Sequence, residues 1–338
     1  MNEDGPLPPF GTVFAPYMTV ATLKDGNYEY SGEAVPVENL PIHPAAHALH
    51  YGSTCFEGLK AFPQRDESVA LFRVQAHAAR MVHSIQHLHM EPPEEELVTR
   101  LIVDAVAANK TACPPAPGSM YVRPTLLGTM KHIGAAGSPS DEAILYVLCC
   151  PGGDYFAGGI RPLSIFVETE LPRTIPQFGT VKCGANYATA LGPTVEAKKK
   201  YGVDQVVFVS GDGLTETGAA NFFLVDDTRL ITRDLDGSFL HGVTRASLLT
   251  IANDLGYRIE ERPIELKELA AVAPKCEAFL SGTAAGVVPV GSVWLAGKQV
   301  EFGDGKAGAN TLRLRAALTD IQFGRAADEH DWRTTVAC

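Results

Sequence analysis

No long hydrophobic run interrupts this sequence. The longest strongly apolar stretch, Ala143 to Cys150, falls far short of the ~20 residues that cross a bilayer as a helix. No membrane span is expected, and the acidic start Met1-Asn2-Glu3-Asp4 does not read as a signal peptide. A basic surplus is also missing. The formal net charge is −11, which argues against a nucleic-acid backbone or an anionic membrane as the main partner. The seven cysteines, Cys55, Cys113, Cys149, Cys150, Cys183, Cys276 and Cys338, form an odd set without paired spacing. Such a set fits a reducing compartment, and a cytoplasmic location is expected.

Metal-ligand spacing is lacking too. His43, His47 and His50 lie in a segment broken by Pro44 with no carboxylate beside them. Adjacent Cys149 and Cys150 would point to opposite faces of a strand. No metal is expected. Gly211-x-Gly213 with Gly218 lacks the glycine spacing of a dinucleotide loop, and no Walker lysine occurs.

What remains is a chain of 338 residues, 46% apolar, long enough for about two domains with sizeable cores. Helical spacing of Ala78, Met81, Val82, Ile85 and Leu88 predicts a helix over 74–88. A second is expected from about Pro93 to Asn109, opened by a proline and an acidic first turn. Residues 150–160, with four glycines between Pro151 and Gly159, read as an interdomain loop. The expectation is a small N-terminal α+β domain over 1–149 and a larger C-terminal α/β domain over 161–338, with a mixed, barrel-like sheet. In the second domain, strands are expected at 163–167, 205–210, 221–225, 230–232, 277–280 and 287–290. Helices are expected near 188–200, 244–255, 266–272 and 308–322. The tail after Arg325 reads as a short extended segment.

One constellation carries chemistry. Lys182 lies in Thr180-Val181-Lys182-Cys183-Gly184-Ala185-Asn186-Tyr187, without an opposite charge beside it. A partly desolvated lysine spends time neutral and nucleophilic. Glu216 lies in Leu214-Thr215-Glu216-Thr217-Gly218 and is read as starting a strand after a turn. Gly242-Val243-Thr244-Arg245 opens a helix, whose first amides and dipole suit a phosphate. Ser281-Gly282-Thr283-Ala284-Ala285 is a second turn of small residues with accessible amides. An amine, a carboxylate for a pyridine nitrogen and a phosphate cradle are the parts a phosphorylated pyridine aldehyde needs. Each part has a plainer reading: a surface lysine, a solvated turn acid, or a simple N-cap at Thr244.

Taken together, these motifs resemble the branched-chain amino acid aminotransferases, fold-type-IV pyridoxal-phosphate enzymes. The resemblance also includes Ala48 to Gly52, Phe56-Glu57-Gly58-Leu59-Lys60-Ala61-Phe62, Phe72-Arg73, Arg80, Tyr121 to Pro124, Asn221 and Ile321 to Arg325. It implies pyridoxal 5'-phosphate as cofactor and reversible transamination of leucine, isoleucine and valine with 2-oxoglutarate by a ping-pong route. Lys182 would bond the aldehyde and carry the proton, with Glu216 facing the pyridine nitrogen and Tyr187 the phenolate oxygen. Arg80, Val243, Thr244 and Thr283 would hold the phosphate. Thr283, Ala284 and Ala285 would receive the substrate carboxylate. Tyr51, Phe56 and Tyr155 would wall the side-chain pocket, and Tyr51, Arg123 and Tyr155 would take the second carboxylate of glutamate. A homodimer or higher homo-oligomer is implied. The same fold also hosts D-amino acid aminotransferases, aminodeoxychorismate lyases and R-selective amine transaminases, and a non-catalytic cofactor carrier is a further alternative. His241 before Gly242 and Gly152 near the connection depart from the usual pattern and bear on side-chain preference.

Overall fold

The computed structural model describes residues 10–37, 40–153, 160–211 and 213–337. Its contacts divide the chain into two compact units. The first unit takes the described residues within Met1–Ala157, together with Val181–Gly184 and the stretch from Ile321 onward. The second takes Gly158–Thr180 and Ala185–Asp320, as far as these residues are described.

The first unit is built on an antiparallel sheet of strands of unequal length. Strand Ser119–Gly128 lies at its centre, paired along its whole length with Ala143–Gly152. Its other side pairs first with Leu59–Pro63 and then with Thr54–Phe56. The partner chain breaks between these two strands, at Glu57-Gly58, opposite Arg123-Pro124. A proline cannot donate to a ladder, and Pro124 is accommodated because it stands at this break. There its carbonyl accepts the Glu57 N–H at 2.9 Å.

Two helices lie where the apolar periodicity predicts them, Val74–His87 and Glu95–Ala108. The first buries Val74, His77, Ala78, Met81, Val82, Ser84 and Ile85. The tail past Arg325 is extended, and Arg333–Val336 pairs antiparallel with Val69–Phe72 at the sheet edge.

The second unit contains a sheet that closes on itself. Strands run in the order Gly213–Thr217, Gln205–Ser210, Leu163–Glu168, Gly286–Leu295, Glu277–Gly282 and Asn221–Val225. A bridge between Glu216 and Asn221 then joins the last to the first. Parallel and antiparallel pairings both occur, so the expected mixed, barrel-like sheet is present. Its two faces are covered, with Phe208, Phe222, Phe223 and Phe279 each no more than 1% exposed. Phe222 and Phe223, as neighbours on one strand, face opposite sides, and Phe208 packs with Ala190 and Ala197.

Two local readings are corrected. The helix expected at 188–200 runs Gly184–Tyr201 and carries Pro193 inside it. Glu216 does not start a strand after a turn. It is the fourth residue of strand Gly213–Thr217, next to the strand's end.

The buried thiols of Cys149 and Cys276 and the half-buried thiol of Cys113 yield a prediction. Burial pushes Cys113, Cys149 and Cys276 from the ordinary value of 9.0 up to about 12. These thiols therefore stay protonated at pH 8, and alkylation requires the thiolate. Iodoacetamide at pH 8 is expected to modify them only after denaturation, as peptide mapping would show. Because each folded value is raised, the associated stability is complete below pH 9 and is lost as pH climbs toward 12.

Candidate active site

In the first unit, Lys182 is held by its main chain. Its N–H donates to Ser84 Oγ at 3.1 Å and its carbonyl accepts the Phe56 N–H at 3.0 Å. Val181 and Cys183 on either side are buried. Two bonds to fixed elements thus hold the main chain of this segment. The Lys182 Nζ lies 5.1 Å from the centre of the Phe56 ring. The Arg123 guanidinium stands 4.6 Å from the centre of that same ring.

Arg123 also donates through Nη2 to Tyr121 Oη at 2.9 Å, while its buried Nε has no hydrogen-bond partner among the described residues. Gly58 makes this arrangement possible. A Cβ at that position would lie 1.8 Å from Tyr121 Oη and would drive the tyrosine off its arginine. Lys182, Phe56 and Arg123 are thus brought together. Tyr51 is 37% exposed, and its hydroxyl accepts the Gly134 N–H at 2.7 Å. Tyr155 lies outside the described residues.

Arg80 points to the interior of the first unit and grips Glu57. Its Nε donates to Oε1 at 2.6 Å and its Nη2 to Oε2 at 2.9 Å. His77 Nδ1 approaches the same Oε2 at 2.8 Å. Burial alone would raise the Glu57 carboxyl. The Arg80 charge and the His77 and Arg80 hydrogen bonds outweigh it and hold the acid far below the usual carboxylate range. His77 moves down as well, because burial disfavours its cation more than Glu57 supports it.

In the second unit, Glu216 is 2% exposed and paired with a residue that sequence reading did not single out. Arg173, 3% exposed, places Nη1 2.9 Å from Glu216 Oε1. That contact is an ion pair, because Nη1 lacks hydrogen-bond alignment with any described group. Arg173 is fixed by donating to the carbonyls of Thr217 at 3.1 Å and Gly218 at 3.4 Å, and it stands 6.0 Å from the centre of the Tyr187 ring. The one signal in the sequence was a cation in the irregular segment Leu171-Pro172-Arg173-Thr174.

Glu216 also reaches the start of the next helix. Its Oε1 accepts the Leu240 N–H at 2.8 Å. Asn221 Nδ2 approaches Glu216 Oε2 at 3.4 Å and donates to the Leu240 carbonyl at 3.0 Å. Two residues on, Gly242 precedes helix Val243–Asp254, which has no side-chain cap. A Cβ at Gly242 would sit 2.1 Å from Asn221 Oδ1, so only glycine lets the helix start against this amide. Val243 and Thr244 are buried at the helix start.

Ser281 stands opposite Asn221 in the neighbouring strand. Its hydroxyl is buried without a hydrogen-bond partner among the described residues. The Thr283-Ala284-Ala285 turn joins Glu277–Gly282 to Gly286–Leu295 and is half-buried. Arg315 braces it from behind by donating to the carbonyls of Ala285 at 3.3 Å and Val287 at 2.7 Å.

Each unit, taken by itself, carries groups that suit part of a phosphorylated pyridine. The second unit offers a buried acid paired with an arginine, an uncapped helix start and an orphaned buried hydroxyl. The first unit offers a lysine and an arginine with an unsatisfied buried donor. The imbalance of donors over acceptors suits an anionic ligand.

Comparison with known proteins agrees with this chemistry. The family described as amino-transferase class IV matches residues 54–293. The "Probable branched-chain-amino-acid aminotransferase" of Streptomyces coelicolor is 38% identical, over 98% of this chain and 93% of its own length. The branched-chain-amino-acid aminotransferase of Mycolicibacterium smegmatis is 35% identical over 96% of this chain and 91% of its own. Among solved structures, a T.th. branched-chain amino acid aminotransferase with pyridoxamine 5'-phosphate has a TM-score of 0.79 at 27% identity, covering 96% of this chain and 99% of that one.

Proposed function

Because this chain belongs to the class IV aminotransferases, and within them to the branched-chain-amino-acid aminotransferases, we propose that it transfers the amino group reversibly between leucine, isoleucine or valine and 2-oxoglutarate. Pyridoxal 5'-phosphate is its cofactor, and it supplies an aldehyde that bonds amines and a ring that takes up electrons. The carrying observation is the Phe56 ring, with Lys182 Nζ and the Arg123 guanidinium both within about 5 Å of its centre. An apolar surface next to the reacting lysine suits a branched aliphatic side chain. A cation on the same surface suits the distal carboxylate of glutamate.

The proposed roles follow from the chemistry of each group. Lys182 would bond the aldehyde at rest and, once displaced by an incoming amine, would carry a proton from the amino acid's α-carbon to the former aldehyde carbon of the cofactor, and the reverse in the second half-reaction. Its fixed main chain confines that motion to the side chain. Glu216, paired with Arg173, would hold a proton on the ring nitrogen. Tyr187 donates to the ring's phenolate oxygen. Arg80, the Val243 and Thr244 amides and Thr283 hold the phosphate. Thr283, Ala284 and Ala285 present the turn that takes the α-carboxylate, with Arg315 bracing it. Tyr51, Phe56 and Tyr155 form the pocket wall, and Tyr51, Arg123 and Tyr155 take the second carboxylate. The enzyme works as a homodimer in the cytoplasm; the six free cysteines of the described residues support a reducing compartment.

A survey of amino donors against 2-oxoglutarate tests the reading. Leucine, isoleucine and valine are expected to turn over, and D-alanine and aryl amines are not. Turnover of D-alanine alone would assign another enzyme of this fold. Arg123→Gln is expected to raise KM for 2-oxoglutarate about tenfold or more while changing KM for leucine by less than about threefold, since it removes a charge-assisted contact that only one substrate makes. Equal losses for both substrates would remove Arg123 from this role.

A further inference from the structure

Glu57 presents a puzzle. It is fully buried at the break between the two strands that pair with central strand Ser119–Gly128, and it grips the arginine assigned above to the phosphate. A carboxylate so close to Arg80 weakens the arginine's long-range pull on an anion, and burying the pair carries a desolvation cost. What the contact provides is geometry. Oε1 takes Nε–H and Oε2 takes Nη2–H, which is a bidentate fork along one edge of the guanidinium. The plane of the group is then fixed, and the edge carrying Nη1 is turned away from Glu57.

The acid is itself held on the opposite side. His77 Nδ1 lies 2.8 Å and the Gly58 N–H 3.1 Å from its Oε2. His77, Arg80 and Ser84 fall three and four residues apart on helix Val74–His87, so they share one face. Ser84 on that face receives the Lys182 N–H. One helix face therefore anchors the lysine segment and, through Glu57, sets the direction of the arginine.

We propose that Glu57, supported by His77, is a positioning residue for Arg80, and that this pair sets how strongly the chain distinguishes a phosphorylated cofactor from one lacking phosphate. The proposal rests on the reading of Arg80 as a phosphate ligand. It assigns Glu57 no contact with cofactor or substrate.

The test compares pyridoxal phosphate with pyridoxal, titrated spectroscopically into the full chain freed of cofactor, and takes the dissociation constant of pyridoxal divided by that of pyridoxal phosphate. Glu57→Gln keeps the shape and removes the charge. It is expected to reduce that ratio about tenfold, the worth of one charge-assisted bond, while pyridoxal binds as before. His77→Gln, which leaves both charges in place, is expected to reduce the ratio about threefold. Arg80→Gln reduces it most, and adding Glu57→Gln to Arg80→Gln changes nothing further, because a positioning residue acts only through its partner.

If Arg80→Gln leaves the ratio unchanged, the reading of Arg80 is wrong. If Arg80→Gln lowers it but Glu57→Gln does not, the proposal is overturned. A Glu57→Gln chain that fails to fold transfers the decision to His77→Gln, where an unchanged ratio is the overturning result.

Discussion

Replacing Lys182 by alanine is expected to lower turnover by about four orders of magnitude or more, since it removes both the covalent anchor and the proton carrier. It is also expected to abolish the visible absorption band that the holoenzyme acquires with its cofactor. The folded state should survive. The bonds from the 182 main chain to Ser84 and Phe56 do not involve the side chain, so the thermal midpoint is expected to move by no more than a surface substitution would move it. That separation is useful, because an inactive variant that melts normally identifies chemistry and not folding. Borohydride treatment of the wild-type holoenzyme followed by peptide mapping offers an independent check. Label at position 182 supports the assignment. Retained activity in the alanine variant, or label on another lysine, removes it.

Glu216→Gln has the second large expected effect, on stability as well as activity. The ion pair with Arg173 is almost fully shielded from water, the two side chains being 2% and 3% exposed. Neutralising the acid leaves a buried arginine charge without compensation, which costs about 3–5 kcal/mol in comparable pairs. The amide keeps one oxygen that can accept the Leu240 N–H, but its NH2 group then faces the Asn221 Nδ2 donor that approached the lost oxygen. Urea denaturation should therefore show a lower midpoint. The double variant Glu216→Gln with Arg173→Met should recover much of the lost stability, because both charges go together. Turnover should stay low in both, since neither holds a proton on the ring nitrogen. A single variant as stable as wild type would show that the pair is not the buried liability described here.

The sequence made some of this readable and concealed the rest for identifiable reasons. Helix Val74–His87 was visible because its buried residues recur at three and four. The start of helix Gly184–Tyr201 was hidden because its buried residues are sparse, Asn186, Ala190 and Ala197, while Leu191 and Val195 face outward. The sequence also misleads about which end of its strand Glu216 occupies. Gly211 and Gly213 look like a turn before it, and the strand between them and Gly218 is only five residues long.

Arg173 escapes sequence reading because it lies in irregular backbone far from Glu216 along the chain. Nothing local marks a pairing that only the fold creates. The closure of the second sheet was likewise hidden, since a single bridge between Glu216 and Asn221 completes it. Motif spacing, by contrast, exposed Lys182, Phe56 and Arg123 as candidates, and the first unit brings those three together.

The division of the chain also bears on how it is made. A ribosome delivers residues in order, yet the first unit contains 181–184 and the stretch from Ile321 onward. Its last strand, Arg333–Val336, closes against Val69–Phe72. Strand Val69–Phe72 must therefore wait for residues 333–336, made much later, before its hydrogen-bond ladder is complete. Until then the Val69–Phe72 edge remains an open invitation to stray strands, and translation speed across the second half becomes a determinant of yield.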